Sequence, residues 1–351
     1  MTHPQMNIVL SGDDNYSKYM AVTMQNIVHF LAPGTKVNFL ILDSGIRPES
    51  KAKLQQFADT LDQVQIHIFD IVEHYADELA KLAPYRHGSK KNTITAGTYG
   101  LFFVAEAFPE FDKALYIDVD VIVRQNLQPA FDTDIEDKYG AVVRMLTHAQ
   151  LGSLKSSRSG KPFPQNFQDL FGKSSENYFN AGVQLLNLKR MREEKVKDQL
   201  SDTLTNIPLE VFHTEVNYHN QDIFNAVFAG KVAFLPTRYN CQVKNVNKIK
   251  RRFLRLGLDF SEFQPEFENP AIIHYSGRRK PWNDKNLFAS ELWWDAASRT
   301  PFAEEINQKY QQDLSKKLKT AKGLLNWLFD FRLDKNQKHI KLFGITLLRD
   351  H

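Results

Sequence analysis

Asp118 and Asp120 stand in the stretch ALYIDVDVIV, residues 114–123, among Leu115, Ile117, Val119, Val121, Ile122 and Val123. The aliphatic flanks predict one buried β-strand. Alternate side chains of a strand share a face, which would put the two carboxylates side by side, about 7 Å apart at their Cα atoms. Two ionised carboxylates on a buried face repel each other and are expensive to desolvate, so something positive must sit between them. A hard divalent cation, Mn²⁺ or Mg²⁺, takes oxygen ligands, often one or two carboxylates with water and phosphate completing the shell. A hydrogen-bonding role at the strand end is the alternative, and the pair alone does not separate the two. A second Asp-x-Asp, Asp132-Thr133-Asp134, lies in the polar stretch FDTDIED and reads as a solvated turn or cap.

Three other stretches bear on that choice. SGDDNY, residues 11–16, follows the first apolar run, where a dinucleotide fold would carry a glycine-rich turn. Carboxylates there would repel a phosphate at a helix N-terminus. Asp13 and Asn15 suit hydrogen bonds to a base and a ribose instead, and helix capping by Asp14 or Asn15 is the plain alternative. AIIHYSGRRKPW, residues 271–282, is an apolar strand ending in His274, Gly277, Lys280 and Trp282. Histidine can complete a carboxylate metal site, glycine permits close backbone approach, and lysine neutralises phosphate; a half-buried His beside a basic loop would look the same. YFNAGVQLLNL (178–188) and HNQDIFN (219–225) set Asn180, Gln221 and Asp222 beside apolar runs. Buried amides need partners, and sugar hydroxyls or ordinary caps would serve.

The elements that must carry these residues alternate. NIVLS (7–11) predicts a strand, and Met20, Met24, Ile27, Val28 and Leu31 recur at helical spacing. KVNFLILD predicts a strand, ESKAKLQQFADTL a helix and VQIHIFDI another strand. Such alternation implies a largely parallel sheet with helices on its faces, binding ligands at the carboxyl ends of its strands. Residues 153–177, rich in Ser, Gly, Lys and Pro, predict a long loop or lid, and a boundary falls near residues 283–290.

The chain of 351 residues, 42% hydrophobic with 26 Phe, can build one large α/β domain with additions. One cysteine, Cys241, excludes internal disulfides, and no Cys/His cluster has zinc spacing. The start, MTHPQMNIVLSGDD, lacks the basic and apolar regions of a signal peptide, and no apolar run nears the ~20 residues of a membrane span, which points to the cytoplasm. From Ser315 to His351 there are seven Lys and two Arg against three Asp, whereas the net charge of the whole is +4. The body is therefore slightly acidic and no nucleic-acid binder, and the basic character belongs to the tail.

Taken in order, DDNY, YIDVDVIV, FNAGVQLLN, NQDIFN and HYSGRRKPW resemble the signature set of glycosyltransferase family 8, nearest the bacterial lipopolysaccharide and lipooligosaccharide galactosyl- and glucosyltransferases. The likeness runs from about Asn7 to Trp282. It implies a GT-A fold, a Rossmann-like mixed, mainly parallel sheet flanked by helices, over residues 1–285, with 286–351 as a helical, basic C-terminal extension. It implies Mn²⁺ (or Mg²⁺) on Asp118, Asp120 and His274, and a UDP-hexose donor. Asp13, Asn15 and Tyr16 would meet the uridine, Gly277 and Lys280 the diphosphate, with Lys91 and Val119 alongside. Asn180, Gln221 and Asp222 would lie against the sugar, Gln221 on the face opposite an attacking acceptor in a retaining transfer. Three positions depart from the family pattern. Leu101 replaces an Arg that contacts donor phosphate and sugar. Asn220 replaces an Asp, and Arg144 an acidic residue at the sugar.

KKLKTAKGLLNWLFDFRL, residues 316–333, puts a basic lead before an apolar run, as in segments that lie on anionic membranes. A lipid-linked oligosaccharide acceptor would bring such an enzyme to the inner leaflet. KNVNKIKRRFLR (244–255) is a second basic patch that suits an acidic acceptor or an exposed helix. A sugar nucleotidyltransferase would want a basic, glycine-rich N-terminal loop, which LSGDDNY is not. A P-loop fails because Phe167 stands where FGKS needs its first glycine. A non-catalytic carbohydrate-binding peripheral membrane protein and a self-glucosylating primer are the remaining alternatives.

Overall fold

Strands and helices alternate through the first 70 residues of the computed structural model, which describes residues 5–85, 97–146, 159–173, 177–216, 219–242, 246–257, 259–334, 337–342 and 345–349. Strands β1 (Gln5–Gly12), β2 (Lys36–Asp43) and β3 (Val64–Asp70) pair in parallel, Ile8 beside Phe39 and Phe39 beside Ile66. All of β2 after Lys36 is buried, because helices or loops cover both faces of a parallel sheet. Helix α1 (Asp14–His29) lays Met20, Met24 and Ile27 on the sheet, and α2 (Pro48–Asp59) starts on a proline whose missing N–H costs nothing at that position.

Strand β4 (Lys113–Ile117) joins β1 in parallel. Beyond it β7 (Phe179–Asn187) runs antiparallel, followed by β6 (Gly140–Arg144) and β8 (Val232–Phe234). The sheet order is β3-β2-β1-β4-β7-β6-β8, mixed and mainly parallel as expected. One apolar layer holds α1, α2 and Trp293; the other holds Tyr99, Phe102, Phe224 and Phe228. Trp293, Ala296 and Ala297 of the helix Ser290–Ser298 belong to the same layer as Met20 and Met24, so residues beyond 285 help to cover the sheet.

Three expectations need correction. The stretch 114–123 is not one strand. After β4 the chain bends through Asp118–Asp120 and leaves the main sheet, and β5 (Val121–Val123) pairs antiparallel with β9 (Ile272–His274), Val121 opposite His274. The bend is held by Asp118 N–H on the Gly182 carbonyl (2.8 Å), Tyr275 N–H on the Asp120 carbonyl (2.9 Å) and the Thr23 hydroxyl on the Val119 carbonyl (3.2 Å). The C-terminal extension is helical over Ser290–Ser298 and Ala303–Leu328 but not beyond; β10 (Phe329–Asp334), β11 (Gln337–Leu342) and β12 (Ile345–Arg349) then form an antiparallel sheet. Phe329, Phe331 and Leu333 alternate with charged residues, which is a period of two rather than of 3.6. Within 153–177 the residues Phe163–Phe171 form a helix with Phe167 buried, while 153–158 and 174–176 lie outside the described residues.

Candidate metal centre and sugar site

Asp118, Asp120 and His274 converge: one ligand atom from each lies within 4.8 Å of the others. The bend supplies both carboxylates and the β5–β9 pairing supplies the histidine. His274 Nε2 stands 3.2 Å from Asp120 Oδ1 and 3.6 Å from Asp118 Oδ2. Burial, then the neighbouring Asp120, pushes the Asp118 carboxyl above the usual range. Asp120 is buried as well, yet His274 and the Lys280 ammonium, which pairs with its other oxygen, hold it well below. The Tyr116 hydroxyl donates to Asp118 Oδ1 (2.6 Å), and burial, followed by the Asp118 charge, raises that phenol well above its usual range.

The histidine's other nitrogen decides what the centre can hold. Nδ1 lies 2.8 Å from the Asn240 side-chain oxygen. Asn240 in turn donates to the Asn180 oxygen (2.9 Å), which also accepts the Gly182 N–H (3.1 Å). Asn180 donates to the Gln221 oxygen (2.8 Å), which accepts the Ala181 N–H as well (3.2 Å). Gln221 donates to the Tyr178 hydroxyl (2.8 Å), which donates to Asp222 (2.5 Å). Two backbone N–H groups therefore fix the sense of the whole run: each side-chain oxygen accepts, so Asn240 can only accept from His274, and Nδ1 carries a proton. In the neutral ring Nε2 then aims a lone pair at two carboxylates, an arrangement that a cation between them resolves. The donor set of two oxygens and one imidazole suits Mn²⁺ or Mg²⁺.

Gly182 is part of this packing. A Cβ there would meet His274 Cε1 at 2.5 Å and Asp118 Oδ2 at 2.6 Å. Asp118, Val119, Asp120 and Tyr116 form one wall of a cleft completed by Ser11, Gly12, Asp13, Tyr16, Gly97, Thr98, Asn220 and Lys280. Asp13 caps α1, accepting from Asn15 N–H (3.0 Å), so the cap is Asp13 rather than Asp14 or Asn15; Asp14 pairs with Arg47. Tyr16 stands edge-on to Trp282, which stacks on Tyr19 at 4.0 Å. Gly277 adopts φ 104°, a turn open to glycine, and the chain returns so that Lys280 Nζ donates to the Tyr275 carbonyl (2.9 Å) and pairs with Asp120.

The structure thus brings Asp13, Tyr16, Asp118, Val119, Asp120, His274 and Lys280 together, with Asn180 and Gln221 behind His274. Asn15 is exposed and forms no part of the cleft wall, and Lys91 lies outside the described residues. Asp222 is buried one layer further back, accepting from the Tyr178 hydroxyl, while Gln221 stands between Tyr178 and Asn180. Leu101 is buried among Phe102, Phe103 and Val104, and Lys280 is the cation of the cleft among the described residues. The second Asp-x-Asp is a turn, Asp134 accepting from Glu136 N–H (3.0 Å). Tyr116, Tyr178, Gly182 and Asn240 were not anticipated. Asn240 comes from a short helical turn with no motif around it; Gly182 sits inside a quoted motif, where its missing Cβ was the available signal.

A family model for glycosyl transferase family 8 matches residues 7–286. A putative glycosyltransferase of Haemophilus influenzae is 26% identical over 322 residues, covering 86% of each chain. A lipopolysaccharide 1,2-glucosyltransferase of Escherichia coli is 25% identical, covering 62% of this chain and 60% of its own. Among solved structures, the galactosyltransferase LgtC in complex with donor and acceptor sugar analogs has a TM-score of 0.65 at 25% identity, over 84% of this chain and 96% of that one. The bifunctional glycosyltransferase WbbM in its apo form has a TM-score of 0.70 at 23% identity, over 89% of this chain and 52% of its own. The fold agrees with these matches, and the chain belongs to glycosyl transferase family 8, as a hexosyltransferase of GT-A fold.

Proposed function

We propose that the enzyme is a retaining transferase that uses a divalent metal, Mn²⁺ or Mg²⁺, to move galactose or glucose from a UDP-hexose to a lipopolysaccharide or lipooligosaccharide core oligosaccharide. The observation that carries this reading is the Asp118–Asp120–His274 cluster at the wall of a cleft that also holds Asp13, Tyr16 and Lys280. Asp13 and Tyr16 suit a nucleoside, and Lys280, released from Asp120, suits a diphosphate. The metal, when bound, supplies positive charge to the departing diphosphate.

The chain's own groups do the rest. Lys280 adds charge at the leaving oxygen. Asn180 and Gln221 are held in one sense by Ala181 and Gly182 and can set the sugar against the metal ligands. The Gln221 oxygen is neutral and already accepts two hydrogen bonds, so it supplies a dipole rather than a covalent bond. That supports attack by the acceptor from the face the UDP leaves, with retention. Asp222 acts behind Gln221 through Tyr178 and is a positioning residue in this reading.

No helix among the described residues is long and apolar enough to cross a membrane. The cluster Lys316, Lys317 and Lys319 on the helix Ala303–Leu328, with Leu318 exposed, supports a cytoplasmic enzyme held at the inner leaflet by its C-terminal region. Incubation with UDP-galactose or UDP-glucose, Mn²⁺ and a core oligosaccharide, read by mass spectrometry and NMR, tests the proposal. One added hexose in α-linkage is expected; a β-linkage contradicts retention, and no transfer from any UDP-hexose contradicts the donor.

A further inference from the structure

Each aspartate of the metal centre has a pair of oxygens, and the structure uses the two members differently. Asp118 Oδ2 faces His274 Nε2 at 3.6 Å, on the side where the ligand atoms converge. Its other oxygen, Oδ1, accepts from the Tyr116 hydroxyl at 2.6 Å. Asp120 Oδ1 faces His274 Nε2 at 3.2 Å, and its Oδ2 pairs with Lys280. Each carboxylate therefore turns one oxygen inward and gives the other to a partner outside the centre.

The two outside partners differ in what they can do. Lys280 stands on a loop at the wall of the cleft, so a diphosphate can draw its ammonium away and free the second oxygen of Asp120. Tyr116 has no such freedom. It lies within β4, between Val9 of β1 and Gln184 of β7, and its ring packs with Tyr99 and Phe179. The ring is only 9% exposed. A bond of 2.6 Å from a hydroxyl to a carboxylate has charge-assisted length and is strong. It turns Oδ1 toward Tyr116 and leaves Asp118 a single oxygen for a cation.

That restriction bears on which cation fits. The chain offers one oxygen of Asp118, either or both of Asp120, and Nε2 of His274. With oxygens of a diphosphate this set can fill an octahedron, the geometry of Mn²⁺ and Mg²⁺. Ca²⁺ is larger, takes about six to eight oxygens and readily engages both oxygens of a carboxylate.

We infer that Tyr116 is a positioning residue for metal choice: by holding Asp118 Oδ1 it limits that carboxylate to one ligand oxygen and favours a small octahedral cation over Ca²⁺. This rests on the metal-dependent transferase reading above and names what sets its metal.

The test is calorimetric titration of the full chain with Mn²⁺ and with Ca²⁺, UDP present. Tyr116→Phe keeps the ring and removes the hydroxyl, so Asp118 Oδ1 is free to turn to the cation. The wild type should bind Mn²⁺ the tighter. In Tyr116→Phe the ratio of Mn²⁺ to Ca²⁺ affinity should fall about tenfold, the lower end of the effect of losing a partner behind a metal ligand. Plain loosening of the site would weaken both cations alike, so equal losses, or no change, overturn the inference. Tyr178→Phe removes a phenol that bonds to Gln221 and Asp222 rather than to a metal ligand. It should keep the wild-type ratio, and an equal fall there overturns the assignment to Tyr116. Binding of neither cation by the wild type overturns the metal centre itself, whereas binding with an unchanged preference in Tyr116→Phe overturns only the role of Tyr116.

Discussion

The two sides of the metal centre are built by opposite means. On the side proposed for the nucleotide, charged groups stand in the loops that follow strands: Asp13 after β1, Asp118 and Asp120 after β4, Lys280 after β9. These groups can exchange partners, as Lys280 would between Asp120 and a diphosphate. On the side proposed for the sugar, neutral amides form a continuous run of hydrogen bonds, and backbone N–H groups fix its direction. One side supplies charge and adaptability, and the other supplies orientation.

The largest effect that would break this division is at Asp120. Asp120→Asn should lower turnover by roughly 10³-fold, the scale on which a principal electrostatic element acts, measured as initial hexose transfer. Next comes Gly182→Ala, which sets a methyl within 2.6 Å of both His274 and Asp118. It should lower stability by about 1–3 kcal/mol in denaturant unfolding and weaken metal binding, because overpacked sites strain their neighbours. Asn240→Leu sharpens the comparison, since it removes the group that fixes the His274 tautomer without touching the nucleotide side. Metal affinity should fall about 10–100-fold in calorimetry, the usual effect of losing a partner behind a metal ligand, with UDP binding in the absence of metal unchanged. The smallest effect concerns Cys241, which backs the centre through its carbonyl on His274 N–H (3.0 Å). Burial, followed by the Glu266 charge, pushes its thiol up to about 12. The thiolate is thus scarce at pH 8, so the native protein should resist alkylation there while the unfolded chain reacts. The raised value also means that this group's destabilising effect begins only as pH climbs past the ordinary thiol range.

Much of the nucleotide side was legible in the sequence, and the physical reason is locality. Carboxylates inside an aliphatic run, and His, Gly and Lys just past an apolar strand, are anomalies visible within ten residues. What stayed hidden was their geometry. Strand alternation gave a right pairing of Asp118 and Asp120 for the wrong reason, because a bend between two sheets brings them together, and local sequence does not reveal where a chain leaves its sheet. The sugar side was legible only in part. Asn180 and Gln221 stood out as polar residues among apolar ones, but Asn240 and Tyr178 acquire meaning from contacts 34 to 60 residues apart in the chain. The fold's parallel half followed from alternating periods of 3.6 and 2. The C-terminal sheet was missed because FDFRLD follows directly on a long helix and its aromatic content masked its alternation.

The central claim is that Asp118, Asp120 and His274 hold a metal–nucleotide complex. The most direct measurement is thermal unfolding at saturating UDP, with and without Mn²⁺, for the wild type and Asp120→Asn. A ligand at 100 times its dissociation constant adds about 2.7 kcal/mol of stability, which is a rise of a few degrees for a domain of this size. The account predicts a rise in the wild type that needs both UDP and Mn²⁺ and vanishes in Asp120→Asn. A wild type that melts at one temperature in all conditions, or a rise that persists in the variant, would contradict it.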